Sequence, residues 1–342
     1  MGALQEIMPA AILLDFAHYS RHGFPQNTTL SRAIDNDWEV TLAAGKKLVI
    51  LAAVNGGAQQ DRDGAHVPIT PVEIAEAAHQ CYKAGASVVH VHARAADKGP
   101  TSDIKVFSDI IKRIRDKCDI LIQTTNGFGV RRDPRTNEYV WPKDEERLAL
   151  HTVEPKQDLF SIAAGSWDFY HPEGGYPGTV SYMNSEHLLQ QNIKAVLKRG
   201  ASLEFEITEV SQIHKLKRFA EEGVFDRNTK NLWLDYCLGF GAMVPTVRTL
   251  ALAAEDGARL FPHWKWEVLA TGRDQFPMNT VGVLMGCDIV RVGFEDNIYL
   301  PDGNAAKQNY QLVEAMAQIA HKFGRDPATV AEARQVFNVG NA

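Results

Sequence analysis

Two histidines spaced two apart, in Ser87-Val88-Val89-His90-Val91-His92-Ala93-Arg94, offer the plainest chemistry in this 342-residue chain. The stretch is β-branched and lies between Gly85 and a polar run, so a strand is expected. Side chains alternate along a strand, which puts Val89, Val91 and Ala93 on one face and His90 and His92 on the other. Two imidazoles on one face can converge on a single metal ion. The plainer reading is a pair of core histidines, each needing its own hydrogen-bond partner. Arg94, just past the strand, is placed either to hold a carboxylate or phosphate or to sit in solvent.

These residues need a scaffold, and the surrounding pattern supplies one. Leu48 to Val54 is a continuous apolar run, as in a parallel strand buried on both faces. Thr70, Pro71 and Glu73 then read as a capping box with proline at the first helical position. Ile74, Ala77, Ala78 and Cys81 fall on one helical face, and Gly85 ends that helix. After the histidine strand, further strands are expected at Ile120–Thr124, Asp158–Ala163, Leu203–Thr208, Leu232–Leu238, Trp266–Ala270 and Asp288–Phe294. Helices are expected between them around Lys105–Lys117, Asp144–His151, Ser185–Lys198 and Gln212–Glu222, after Pro245, and near Pro277. Helices at Tyr310–Lys322 and Thr329–Phe337 close the chain.

Eight strands, each followed by a helix, imply a parallel sheet of the α/β class, and a span of roughly 250 residues suits a (β/α)8 TIM barrel. An open doubly wound sheet is the second choice, but Asn55-Gly56-Gly57 is a poor nucleotide fingerprint. Residues 1–46, with Tyr19, Arg21, His22, Phe24 and Pro25, read as an irregular N-terminal arm laid over the main domain or a neighbouring subunit. Residues 47–342 read as the barrel domain, with the C-terminal helices included.

A barrel of this kind carries its active site at the C-terminal ends of its strands. The last strand leads into Arg291-Val292-Gly293-Phe294-Glu295-Asp296-Asn297, and it closes against the first, which pairs with the histidine strand. Glu295 can therefore reach His90 and His92 across one intervening strand. Two His and one Glu form a catalytic zinc set with an open position. By parity Arg291 and Glu295 face the same side and Asp296 points elsewhere at the rim. An acidic pair capping a helix is the alternative for Glu295 and Asp296. Thr124, Thr125 and Asn126 end the third strand, and Ser161 lies in the fourth, although Thr and Ser at such ends are also common turn residues. Glu204, Glu206 and Thr208 share one face of the fifth strand. Inward carboxylates need cationic or protonated partners, for which Arg291 and Arg273 are candidates. A structural ion-pair network is the favoured role of Glu204.

The composition, 45% hydrophobic and 23% charged, is that of an ordinary globular protein. A net charge of −6 and a pI near 6.1 leave no basic footprint, so no nucleic-acid partner is expected. No segment is apolar enough to span a membrane, and Met8–Leu14 is too short, and follows an acidic Glu6, to read as a signal peptide. A cytoplasmic location is the default. Cys81, Cys118, Cys237 and Cys287 are scattered and read as reduced thiols.

From about Lys47 onward the chain resembles the β-keto acid cleavage enzyme family, whose founding activity is 3-keto-5-aminohexanoate cleavage. The matching pieces are Pro68-Ile69-Thr70-Pro71, Ala84-Gly85-Ala86, His90-Val91-His92-Ala93-Arg94, Gly272-Arg273, Arg291-Val292-Gly293-Phe294-Glu295-Asp296-Asn297-Ile298-Tyr299 and Leu312-Val313-Glu314. The resemblance implies a Zn²⁺-dependent barrel that condenses a β-keto acid with acetyl-CoA, giving acetoacetate and an acyl-CoA by Claisen and retro-Claisen steps. It implies His90, His92 and Glu295 as metal ligands, about one ion per chain, Asp296 as the base at C2, and Arg291 as the residue that holds it. Thr125 and Ser161 stand where the family places substrate-binding hydroxyls. A homo-oligomer such as a tetramer is implied as well.

Three positions depart from the family. Ala58 stands where the founding enzyme has a glutamate associated with the substrate's amino group, Asn126-Gly127-Phe128 replaces Thr-Gly-Gly, and Ala163 replaces an asparagine. The expectation is a kept reaction with a different substrate, an amino-substituted keto acid being disfavoured. Two other readings are a CoA-independent metal aldolase or hydrolase, and a non-catalytic metal-binding or ligand-binding barrel.

Overall fold

In the computed structural model, which describes residues 45–133, 135–170 and 179–340, the first apolar run forms β1 (Val49–Ala53), buried at every position. The helix after it, α1 (Pro71–Lys83), starts as its residues dictate. The Thr70 hydroxyl accepts from the Glu73 amide at 3.2 Å, and the Glu73 carboxylate accepts from the Thr70 amide at 2.8 Å. The chain leaves that helix through Gly85 at φ +110°, a conformation glycine adopts without steric cost. It then enters β2 (Val88–Val91).

The unit repeats as α2 (Ile104–Arg115), β3 (Leu121–Thr125), α3 (Asp144–Ala149), β4 (Leu159–Ala163), α4 (Glu186–Arg199), β5 (Ser202–Ile207), α5 (Ser211–Glu221) and β6 (Leu232–Leu238). It ends with α6 (Val247–Leu260), β7 (Lys265–Ala270), α7 (Gln275–Met285), β8 (Ile289–Val292), α8 (Asn309–Lys322) and α9 (Val330–Phe337). The eight strands close into one parallel barrel in chain order, with β8 paired to β1 through Leu51↔Arg291 and β1 to β2 through Ala53↔His90. This is a (β/α)8 barrel.

Two antiparallel hairpins were not anticipated. Arg131–Arg132 pairs with Tyr139–Val140 between β3 and α3, and Trp167–Tyr170 pairs with Thr179–Tyr182 between β4 and α4. The expected N-terminal arm, up to residue 44, lies outside the described residues.

The barrel interior is layered. At its N-terminal end Val49, Leu51, Val88, Leu121, Leu159, Trp233 and Ile289 pack with Val330, Ala333 and Phe337 of α9, and the Trp233 and Phe337 rings lie 4.7 Å apart. Above that apolar plug, Gln123, Glu204, Asp235, Glu267 and Arg291 point inward, none more than 2% exposed. The opposite strand faces, among them Val89, Val91, Leu203, Phe205 and Ile207, join the helices in the main core. Cys81, Cys237 and Cys287 are buried free thiols, and Cys118 is half-buried. No helix among the described residues is long and apolar enough to cross a membrane.

Candidate active site

His90 and His92 stand where strand alternation puts them, on the barrel's inner side at the C-terminal end of β2. His92 lies one residue beyond the regular strand, and Asn55 extends the pairing there. The Asn55 amide donates to the His92 carbonyl at 2.8 Å and its Oδ1 accepts from the His92 amide at 3.0 Å. On the other flank, Asn309 of α8 accepts from the Phe294 amide and donates to the Val54 carbonyl, both at 2.9 Å. These two asparagines fasten the ends of β2 and β8 to the end of β1.

Glu295 arrives opposite the histidines. Its carboxylate lies 3.0 Å from His92 Nε2 and 3.4 Å from His90 Nε2, and the two Nε2 atoms are 3.1 Å apart. Burial pushes the His90 ring down to about 3, so it is neutral. Gln123 Oε1, 2.6 Å from His90 Nδ1, accepts a hydrogen bond from a protonated Nδ1, which leaves the Nε2 lone pair facing His92 and Glu295. Burial opposes ionisation of Glu295, but His92, Arg291 and His90 outweigh it and hold its carboxyl well below the usual range. These three groups converge closely enough to hold a metal ion. A tetrahedral zinc site with bonds of about 2.0–2.1 Å sets ligand atoms about 3.4 Å apart, close to the separations observed here.

Arg291 and Asp296 form a fork beside this triad. Arg291 Nε donates to Asp296 Oδ2 at 2.8 Å and Nη2 to Oδ1 at 3.1 Å, and Nη2 is also 3.1 Å from Glu295. The parity expectation for Asp296 fails here. Strand β8 ends at Val292, Gly293 takes φ +141°, and the Asp296 and Asn297 amides both turn back to the Gly293 carbonyl. The turn brings Asp296 to the same side as Arg291 and Glu295. Burial lifts the Asp296 carboxyl and Arg291 pulls it back, with a net rise above the ordinary aspartate value.

Below the fork Glu204, Glu206, Asp235 and Glu267 face Arg291. Burial raises all four carboxyls and mutual repulsion adds to the rise, while Arg291 acts against it. Gln123 donates to Glu204 at 2.7 Å. Arg273 does not serve them: it stacks 3.9 Å from the Tyr299 ring centroid and reaches the Gly303 carbonyl.

The other expected residues separate. Thr125 lines the pocket, its hydroxyl accepting from the Gly127 amide at 3.0 Å. Ser161 donates to Glu206 at 2.9 Å and is fully buried behind it. Arg94 is 4% exposed rather than in solvent, and it donates to the Gly56, Gln59 and Lys98 carbonyls, so it braces the loop after β1. Gln59 of that loop in turn donates to the Glu295 carbonyl at 2.6 Å.

One pocket of about 920 Å³, its open mouth included, joins these groups. His92, Glu206, Arg291, Glu295 and Asp296 line it, and so do the aromatic side chains Trp141, Trp167, Phe169, Tyr182 and Phe240. Sequence reading missed this aromatic wall. Its signal was the alternation Trp167-Asp168-Phe169 and Val180-Ser181-Tyr182, which marks a ribbon with one apolar face. Across that ribbon Trp167 pairs with Tyr182 and Phe169 with Val180.

A family model described as beta-keto acid cleavage enzyme matches residues 47–339. The chain is 33% identical over 296 residues to the 3-keto-5-aminohexanoate cleavage enzyme of Fusobacterium nucleatum, covering 86% of this chain and 98% of the relative. It is 28% identical over 325 residues to the 3,5-dioxohexanoate:acetyl-CoA acetone transferase of Paraburkholderia graminis, with 88% and 98% covered. A solved ternary complex of ObcA with C4-CoA adduct and oxalate aligns with a TM-score of 0.67 at 18% identity, over 80% of this chain and 67% of that one. At that identity the likeness concerns the fold.

Proposed function

The chain belongs to the β-keto acid cleavage enzyme family, and from that premise we propose that it transfers the acyl part of a β-keto acid to CoA, with acetyl-CoA as co-substrate. The products are acetoacetate and an acyl-CoA. The observation that carries the reading is the junction of the His90, His92 and Glu295 donor set with the Arg291–Asp296 fork at one end of one pocket.

His90, His92 and Glu295 would hold one zinc ion, which when bound supplies Lewis acidity toward the substrate's keto oxygen. Asp296 takes a proton from C2 of the keto acid, and the two-point grip of Arg291 fixes the carboxylate that receives it. The C2 carbanion attacks the acetyl carbonyl of the thioester and displaces the CoA thiolate. That thiolate adds to the former keto carbon, the C2–C3 bond breaks with its electron pair going to C2, and C2 takes the proton back from Asp296 and leaves with the acetyl group as acetoacetate. Thr125 presents a hydroxyl to the substrate, Ser161 orients Glu206, and Arg94 acts through the loop it braces.

The test is a panel of β-keto acids with acetyl-CoA, scored for acetoacetate, with His90→Ala as control. Acetoacetate from at least one acid, lost in the variant, is the expected result. Turnover of a keto acid without acetyl-CoA would support an aldolase or hydrolase instead.

A further inference from the structure

The pocket divides its chemistry sharply between its two ends. Every ionisable acid, Arg or His side chain that lines it (His92, Glu206, Arg291, Glu295, Asp296) stands at the triad end. On the hairpin side most polar atoms are already engaged by the protein. Trp141 Nε1 donates to the Ser181 carbonyl at 2.7 Å. The Tyr182 hydroxyl receives Arg147 Nη2 at 3.1 Å and donates to Asn126 Oδ1 at 3.3 Å. Trp167 Nε1 is buried without a partner, and it is a neutral donor. Ala58 lines the pocket and carries no charge.

A charged group on the distal part of a substrate would lose its water there and, among the described residues, meet no opposite charge in the lining, the Arg147 guanidinium lying behind Tyr182 and already bonded to it, which is strongly unfavourable. An alkyl or aryl group would lose only apolar hydration. The hairpin makes the same point. Its inner face is Trp167, Phe169, Val180 and Tyr182, while Asp168 and Ser181 pair on the outer face at 2.7 Å. A two-stranded ribbon is marginal alone, and an apolar inner face is kept because something apolar packs on it.

We propose that the far wall selects β-keto acids whose portion beyond C3 is uncharged and apolar, with Trp141, Trp167, Phe169 and Tyr182 as its specificity-determining side chains. The proposal rests on the reaction assigned above and concerns which acids enter it. An aromatic cage for a quaternary ammonium is the rival occupant, and one feature counts against it. The Arg147 guanidinium already lies 5.4 Å from the Tyr182 ring centroid, and its charge spends that ring's attraction for a second cation.

The test measures two things on the full chain. Equilibrium binding of each acid is followed by quenching of tryptophan fluorescence without acetyl-CoA, and kcat/KM for acetoacetate is measured with it. The acids are 3-oxohexanoate, 3-oxooctanoate, 5-amino-3-oxohexanoate, 3-oxoadipate and 4-trimethylammonio-3-oxobutanoate. The expected order puts the two apolar acids first, with about a fourfold gain per added methylene until the pocket is filled. Trp167→Ala should erase most of that gain while leaving bound metal unchanged. Ala58→Glu should raise affinity for the amino acid substrate, the one change that restores a distal negative charge.

Tighter binding of either cationic acid or of 3-oxoadipate by the unaltered protein would overturn the proposal. So would a chain-length gain that Trp167→Ala and Trp141→Ala both leave intact. If apolar acids bind in the expected order but none yields acetoacetate, the reaction reading fails and the wall assignment stands.

Discussion

Asp296 and Gln123 show how much single side chains decide in this site. Asp296 has both carboxylate oxygens held by one guanidinium, so the proposed base is fixed in position before substrate arrives. Asp296→Asn keeps the side chain's size and one acceptor for Arg291, and removes the proposed base. Acetoacetate formation should fall about 10²–10⁴-fold with metal content unchanged, measured by steady-state assay and elemental analysis. Gln123 acts one step further back. Its Oε1 fixes the His90 tautomer, and its Nε2 is tied to Glu204. Gln123→Leu leaves His90 Nδ1 without that acceptor, and zinc affinity should drop about 10–100-fold in a chelator competition. Retained affinity would mean that the imidazole is oriented by β2 alone. The triad itself was legible from alternation in β2 and from strand order. The position of Asp296 was not, because alternation holds only while the chain stays extended. Gly293 leaves that conformation one residue after β8.

At the scale of elements, the closing seam between β8 and β1 depends on the one residue type that fits it. A Cβ on Gly293 would lie 2.1 Å from the Ala53 carbonyl oxygen, and the φ of +141° is one that L side chains rarely adopt. Gly293→Ala must push the strand ends apart, where the Glu295 amide now bonds Ala53 at 3.1 Å. A loss of about 3 kcal/mol is expected from the urea unfolding midpoint, together with lost metal binding. An unchanged midpoint would refute the close packing. The barrel strands were legible because each is a short apolar run between helix caps and turn glycines. The ribbon of Trp167–Tyr170 and Thr179–Tyr182 was not, since strands of four residues each carry little periodic signal. Their partners are also set by a turn rather than by a repeating unit. Ala58 stood out in sequence as a departure from the founding enzyme, whereas the aromatic wall that lines the same pocket comes from a distant segment.

Taken whole, the barrel encloses a layer of acids with one guanidinium among them. Asp235 and Glu267 are wholly buried, and burial first, then neighbouring carboxyls, holds both well above their ordinary values. The folded chain therefore binds protons that the unfolded chain releases. Their contribution to stability is full below the unfolded values and declines as pH rises toward the folded ones, by up to about 1.4 kcal/mol per pH unit for each group. Urea midpoints between pH 5 and 8 should fall with rising pH, and Glu267→Gln should flatten the slope. A midpoint that rises over that interval in the unaltered protein would contradict the assignment. The order of the strands has one more consequence. His90 and Glu295 stand roughly two hundred residues apart and flank β1, at the point where the ring of strands meets itself. A growing chain emerging from the ribosome carries the two histidines long before it has the glutamate. An ion caught by all three ligands is therefore acquired only after the last barrel strand has been made, and it then acts as a clasp across the completed ring.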